Sequence, residues 1–377
     1  MSTRVITVPE ANSSSIALAG REGASALRAG KLVGFATETV YGIAAVATNK
    51  SALARLRKLK SRPAAPFSVH VAYAEDIAKY VKHVPLQARW LVERAWPGPV
   101  TLLLETGGKL ASPRLDKTPG LHKALTLKGV IGLRCPDEPV ARAMLSKVKD
   151  PVVAPSANLA GEPSPHTGDD VLHTLNGKID LLLDSGLTRF AKDSTIVRFQ
   201  NQSWDILRLG VMDERMIRRS MKRKIIFICT GNTCRSPMAA GLAKKMLARE
   251  LGCKVGQLRD HGVEITSAGL CAGPGSKAAP EAIQTAGAMG ADISRHRGKN
   301  LTSELIKSCD MVFCMTSFHL AQAQRLAENS KSGHLKVQML DEQQDIPDPI
   351  GGDLGVYEQT AKHIEQALRG ALLEGTR

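Results

Sequence analysis

Short apolar runs closed by turn-forming residues alternate with amphipathic stretches along the chain. Lys31-Leu-Val-Gly-Phe-Ala36 reads as a strand that opens into the polar segment Thr37-Glu-Thr-Val-Tyr-Gly42. Residues 51–60 place their apolar members at helical spacing, with Ser51 as the expected N-cap and Pro63 and Pro66 as the stop. Stretches 67–71, 100–104, 129–134 and 152–154 read as short buried strands. Residues 194–199 and 204–208 read as a closing hairpin that turns at Gln200-Asn-Gln-Ser203. Beyond Leu209-Gly210 the pattern becomes charged and amphipathic, which predicts a helical connector over 212–222. A fresh strand starts at Lys224-Ile-Ile-Phe-Ile-Cys229, and the order strand, loop, helix, strand, helix follows. The chain is thus read as an α/β domain over 1–211, a connector over 212–222, and a smaller parallel-sheet α/β domain over 223–377.

A length of 377 residues suits two domains, and 43% hydrophobic with 23% charged residues excludes disorder and a disulfide scaffold. No apolar run approaches the ~18–20 residues of a membrane span. The opening residues MSTRVITVPEANSSS lack the apolar core of a secretory signal. Seven thinly spread cysteines, an odd number, point to reduced thiols. A cytoplasmic protein without a membrane partner is expected. Of the net charge of +15, residues 1–220 carry +11, from 31 Lys+Arg against 20 Asp+Glu. That excess favours a polyanionic ligand such as a nucleotide or RNA, double-stranded RNA and tRNA included; a solvated basic surface is the plainer account.

The sharpest chemical signal is Cys229-Thr-Gly-Asn-Thr-Cys-Arg-Ser-Pro-Met238. An apolar strand runs straight into it, and a helix with Pro237 in its first turn leaves it. Strand, tight loop and helix N-terminus make an anion cradle of inward N–H groups and a favourable dipole. A cysteine at its mouth is expected to act as a thiolate nucleophile, and Arg235 can grip two phosphoryl oxygens with its planar fork.

This stretch resembles the low-molecular-weight protein phosphatases, over essentially 223–377. All six fixed positions of their Cys-x-Gly-Asn-x-Cys-Arg-Ser loop are matched, Cys229, Gly231, Asn232, Cys234, Arg235 and Ser236, with Thr230 and Thr233 at its two variable positions. The resemblance implies a small Rossmann-like parallel sheet. It implies Cys229 as nucleophile, Arg235 as phosphate binder, Ser236 as the hydroxyl that steadies the thiolate, and Asn232 as the residue that shapes the loop. It also implies Asp348, in Asp345-Ile-Pro-Asp348-Pro349, as the general acid, and no cofactor. A phosphoprotein is the implied substrate. Tyrosine-specific members resemble one another in an Ile at position 233 and aromatics after the Asp-Pro; this chain has Thr233 and Ile350-Gly351-Gly352. Those features resemble the protein-arginine phosphatase branch, with phosphotyrosine as the alternative substrate. Arsenate reductases share the fold, but no resolving cysteine follows Cys314. Cys309 and Cys314 read as buried thiols, not as a metal pair, and the resemblance implies that Cys229 and Cys234 can pair reversibly under oxidation.

No Gly-x4-Gly-Lys-Ser/Thr loop occurs, so any nucleotide site in the first domain is built otherwise. Thr37-Glu-Thr-Val-Tyr-Gly42, Lys60-Ser-Arg62-Pro63, His70, Trp96-Pro-Gly-Pro-Val-Thr101, Arg134 and Pro155-Ser-Ala-Asn158 are each unremarkable alone. In this order they resemble the YrdC-like threonylcarbamoyl-AMP synthases, over about residues 12–210. The resemblance implies an α/β domain with a large basic cavity that condenses L-threonine, bicarbonate and ATP into threonylcarbamoyl-AMP and pyrophosphate. A downstream transferase then carries the group to tRNA. Lys60, Arg62, Ser156 and Asn158 would bind ATP, while Thr37, Thr39, His70 and Arg134 would orient threonine, with Arg134 on its carboxylate. Mg²⁺ would ride on the ATP phosphates, since carboxylates are scarce in these segments, and no protein metal site is expected. Ala36 and Ala44-Ala45-Val46 depart from that family's usual pattern without touching an expected ligand. The competing reading is a nucleotide- or RNA-binding module without chemistry, although aromatics at 4% offer little stacking surface.

Overall fold

The computed structural model describes residues 2–8, 12–62, 65–328 and 335–374. The chain divides into two compact units, Met1–Met221 and Lys222–Arg377. Among the described residues no helix is long and apolar enough to cross a membrane.

The first unit is built on an eleven-stranded mixed sheet among the described residues. Its centre alternates in direction. Val33–Phe35 pairs antiparallel with Gly42–Val46, which pairs antiparallel with Val152–Val153. Val69–His70 follows, then Val130–Arg134 parallel to it, then Val100–Glu105 antiparallel. Thr195–Gln200 lies parallel to Val100–Glu105 and antiparallel to Ser203–Arg208. That last pair is the expected hairpin, and Asn201 and Gln202 turn it with positive φ of 52° and 59°, as a two-residue primed turn requires. Register sets the site: His70 and Thr101 both stand beside Arg134 on neighbouring strands, so three polar side chains converge where apolar strands end. Apolar side chains fill the rest of the core, with Phe35, Tyr41, Leu56, Leu91 and Leu102 fully buried.

Two local expectations differ. The helix runs Lys50–Leu59, one residue earlier than its amphipathic pattern suggests, because Asn49 and not Ser51 caps it: Asn49 Oδ1 accepts the Ala52 N–H at 2.9 Å. It ends before Pro66, and Pro63 lies outside the described residues. The stretch 212–222 holds the Glu214–Met221 helix, whose Ile217 and Met221 are buried in the core of the first unit. Its charged face is solvated, so its strong amphipathicity is that of a docked helix as much as of a connector.

Among its described residues the second unit carries a four-stranded sheet, parallel throughout, in the order Val263–Gly269, Arg223–Cys229, Met311–Cys314, Lys336–Met339. The first strand in sequence is therefore interior and the chain winds outward to both sides. Ligands of such open sheets sit at the carboxyl ends of the strands where winding reverses, and Cys229 ends that first strand. Phe227 and Phe313 stack across the two central strands with centroids 5.5 Å apart. Cys309 and Cys314 are buried beside Ile226, Ile228 and Val312. Burial holds both thiols above their ordinary range, the Cys314 thiol up to about 12.

Candidate active sites

Cys229 leaves the sheet buried, and its Sγ lies 2.9 Å from Ser236 Oγ while accepting the Asn232 N–H at 3.3 Å. Asn232 shapes the turn between them. Its φ of 55° lies in the left-handed region, which Asn tolerates better than most L-residues. Its Nδ2 donates to Ser236 Oγ at 2.8 Å and Ser267 Oγ at 2.9 Å, and its Oδ1 accepts the Lys299 N–H at 3.1 Å. His296 Nε2 lies 2.8 Å from its carbonyl oxygen. Ser236 Oγ thus accepts from Asn232 and can give its own proton to the sulfur at 2.9 Å or to the Ala268 carbonyl at 3.5 Å. Gly269, opposite, is irreplaceable for space: a Cβ there would stand 2.5 Å from the Thr230 carbonyl oxygen.

Arg235 opens the Arg235–Glu250 helix and is buried, yet its guanidinium reaches the Ile346 carbonyl at 3.2 Å and the Asp348 carboxylate. Asp348 is 40% exposed, so an acid sits at the rim of a loop whose interior is closed. Thr230, also exposed, lies 3.0 Å through its hydroxyl from His319 Nε2. His319 is buried; burial first, and then the charge of Arg235 against those of Asp348 and Asp345, brings its pKa down to about 4, so the ring is neutral at neutral pH. Thr233 is half-buried, with its hydroxyl 3.5 Å from Cys234 Sγ, and Cys234 in turn lies 3.3 Å from the Tyr357 hydroxyl. Burial raises the Tyr357 phenol, which keeps it a neutral hydrogen-bonding group. Ile350, after the Asp-Pro, is 69% exposed. The expected nucleophile Cys229, the Arg235 cation and the Asp348 carboxylate are thereby brought to one loop.

In the first unit Arg134 is the hub. Its Nη2 donates to Thr39 Oγ1 at 2.6 Å, Glu38 Oε1 at 2.8 Å and Thr37 Oγ1 at 3.3 Å. Glu38 is 1% exposed and receives the Asp137 N–H at 2.8 Å through its second oxygen. Arg134 Nε is buried with no partner among the described residues, so this cation retains donor capacity for an incoming acceptor. His70 lies edge-on to Phe35; burial and then the Arg134 charge bring its pKa down to about 3, which makes it a neutral wall beside that cation.

The expected ATP ligands form a neighbouring cluster. Lys60 Nζ lies 2.7 Å from both the carbonyl and Oδ1 of Asn158 and 3.0 Å from the Ser156 carbonyl. Ser156 Oγ donates to Asn158 Oδ1 at 2.6 Å. Lys60 therefore braces the 156–158 turn with all three of its N–H bonds and offers a phosphate its charge more than a free donor. Burial, then Arg62, lowers its pKa to about 8. The two clusters share a segment: Ala157 N donates to the Tyr41 carbonyl at 2.8 Å, and Gly42 bridges Ser156. A cavity of about 700 Å³ flanks the Lys50–Leu59 helix and is lined by Lys50, Arg57, Lys58 and Arg62. Among the expected ligands it takes in Arg62 alone. Among the described residues no three His, Cys, Asp or Glu side chains gather as a metal site.

Comparison with known proteins joins these two constellations to families. The Sua5/YciO/YrdC model, described as telomere recombination, matches residues 25–210, and the low molecular weight phosphotyrosine protein phosphatase model matches 224–375. A threonylcarbamoyl-AMP synthase of Chromohalobacter salexigens is 33% identical over 181 residues, 48% of this chain and 92% of that protein. A protein-arginine-phosphatase of Bacillus subtilis is 37% identical over 147 residues, 38% of this chain and 91% of that one. The chain belongs to both families. A longer threonylcarbamoyl-AMP synthase of Bacillus subtilis is 35% identical over 197 residues, 52% of this chain and 54% of its own, so the chain spans about half the length of such relatives.

In the Sua5/YrdC half, reading the sequence missed Glu38, Ser194 and Arg208. Glu38 sits between the two expected threonines, and only the fold shows that its charge is spent on Arg134. Ser194 Oγ is 3.0 Å from Thr101 Oγ1 and receives Arg208 Nη2 at 3.1 Å. Burial foremost, and Arg134 and Arg62 beyond it, lower the Arg208 pKa against the pull of Asp193, which places Arg208 in the same basic group. An Arg on a hairpin strand carries no signal of its own. In the phosphatase half His319 was missed for the same reason: it enters from a helix far along the chain.

Proposed function

We propose that the chain is a bifunctional enzyme, an L-threonylcarbamoyladenylate synthase in its first half and a cysteine-dependent protein phosphatase acting on phosphoarginine in its second. In the first half, the carbamate formed from the threonine amine and bicarbonate attacks the α-phosphorus of ATP, and pyrophosphate leaves. Arg134 holds the threonine carboxylate through its uncommitted Nε, with Thr37, Thr39 and neutral His70 as the walls. Lys60, Arg62 and the Ser156–Asn158 turn meet the triphosphate, on which Mg²⁺ enters. The adenylate then passes to a transferase that modifies tRNA in the cytoplasm.

In the second half, Cys229 Sγ attacks phosphorus in line with the leaving nitrogen, Arg235 holds two of the phosphoryl oxygens, and Asp348 protonates the leaving guanidine. Asp348 then takes a proton from water as that water cleaves the phosphocysteine. Entry of the phosphoryl group displaces the Arg235–Asp348 contact, which frees the carboxyl for proton transfer.

The observation that carries the reading is the closed Cys229–Ser236–Asn232 network with Arg235 and Asp348 at its mouth. Thr233, and Ile350-Gly351-Gly352 in place of aromatics directly after Pro349, support a guanidinium over a phenyl ring. Comparing kcat/KM on matched phosphoarginine and phosphotyrosine peptides tests it, with Thr233→Ile expected to erode the phosphoarginine preference. A preference of the native chain for phosphotyrosine would overturn the substrate assignment. For the first half, pyrophosphate release that persists unchanged without threonine would overturn the synthase reading, and no release with threonine, bicarbonate and ATP all present would leave a nucleotide-binding module.

A further inference from the structure

Thr230 and His319 form a unit that neither catalysis nor loop closure uses. Thr230 follows the nucleophile directly and is exposed at the mouth, yet its hydroxyl is fixed 3.0 Å from His319 Nε2. On the other side of the ring, Nδ1 lies 2.7 Å from Thr316 Oγ1. Thr316 Oγ1 already accepts the backbone N–H of His319 as the N-cap of the Ser317–Ala327 helix. The ring is therefore held at both nitrogens and is only 2% exposed. Its neutral state at neutral pH means that one nitrogen donates and the other accepts.

We propose that His319 is a positioning residue that fixes Thr230 as a hydrogen-bond acceptor for the guanidinium of the substrate, and so helps to select phosphoarginine over phosphotyrosine. In the arrangement inferred, Nδ1–H donates to Thr316 Oγ1 and bare Nε2 accepts the Thr230 proton. The lone pairs of Thr230 Oγ1 then face the mouth. A guanidinium offers N–H donors and no acceptor, whereas a phenyl ring offers neither, so an oriented acceptor rewards one substrate alone. An unheld hydroxyl would rotate and pay orientational entropy on binding. The inference deepens the proposed phosphoarginine activity and rests on it.

Two measurements on the full chain test it. Thr230→Val should lower kcat/KM on a phosphoarginine peptide by about 10- to 100-fold, as expected for one hydrogen bond to a charged donor, and by clearly less on the matched phosphotyrosine peptide. Thr230→Ser should restore the native value. His319→Phe should act in the same direction, and the double variant should lose no more than Thr230→Val alone, since the two act as one unit. A purely structural role would instead lower both substrates together, and that outcome, or failure of Thr230→Ser to rescue, overturns the proposal. Long-range proton–nitrogen NMR, with the His319 signals assigned by their loss in His319→Phe, should show the proton on Nδ1; a proton on Nε2 overturns it independently of activity. A native preference for phosphotyrosine would sink the substrate reading itself, whereas a phosphoarginine preference that Thr230→Val leaves intact sinks this inference alone.

Discussion

Replacing Gly269 by Ala adds one methyl group to the back of the phosphate loop. Its Cβ would lie 2.5 Å from the Thr230 carbonyl oxygen and 2.9 Å from the Asn232 nitrogen, where ordinary contact begins at 3.4 Å. One side must therefore retreat by about 0.9 Å. Neither side is free to do so. Gly269 is tied by its N–H to the Lys299 carbonyl at 3.0 Å and by its carbonyl to the Leu301 N–H at 2.8 Å, and the Cys271 N–H holds the Thr230 carbonyl at 3.0 Å. Overpacking of this kind costs about 1–3 kcal/mol in stability. The loss of rate should be larger, because Asn232 carries the N–H and the side chain that set Cys229 and Ser236. A displacement of ~1 Å in such a group costs on the order of 100-fold in turnover. Steady-state hydrolysis of para-nitrophenyl phosphate, with a thermal melt of the same preparation, reads both quantities. Turnover within about threefold of the native chain would refute the claim that Gly269 is kept for loop geometry.

Three further outcomes are expected. Cys229→Ser should abolish phosphatase turnover and leave threonine-dependent pyrophosphate release intact; loss of both activities in a folded variant would show that the two sites are not independent. Glu38→Gln leaves the Arg134 cation buried without its counter-charge, which should cost about 3 kcal/mol and lower the melting midpoint of the first unit by roughly 6–12 °C. The KM for threonine should rise with it, and an unchanged melt and KM would mean that Arg134 does not depend on Glu38. Lys60 sits at about 8 through burial and the nearby Arg62, so its charge is present below that pH and lost above it. Synthase activity should fall as pH rises through about 8, and Lys60→Arg should move that limb upward; a flat profile to pH 9.5 would remove Lys60 from the site.

Much of this architecture is legible along the chain because its causes are local. A run of apolar residues ending in Cys229-Thr-Gly-Asn-Thr-Cys-Arg-Ser specifies strand, loop and helix at once, since the helix N-terminus and the left-handed residue are both written within eight positions. The Gln200–Ser203 turn is equally local. Where a neighbouring residue competes for the same role, local reading falters. Asn49 and Ser51 both suit an N-cap, and the structure gives the position to Asn49 because its side chain meets the Ala52 N–H. The 212–222 stretch looks like a connector because its charges dominate, yet Ile217 and Met221 find the core.

The order of polar motifs, the basic excess of the first half and the nucleophilic loop of the second are properties of the sequence by itself. They suffice to place the chain in two families. What only the tertiary structure decides is which groups share an environment. Glu38 faces Arg134 across 96 residues, Arg208 joins the same basic group from the closing hairpin, and His319 reaches Thr230 across 89. Such pairings arise from sheet register and helix docking, which depend on the packing of the whole core and leave no periodicity or spacing to read. Charge and hydrogen bonding act over a few ångströms in space, whereas the chain records only distance along itself.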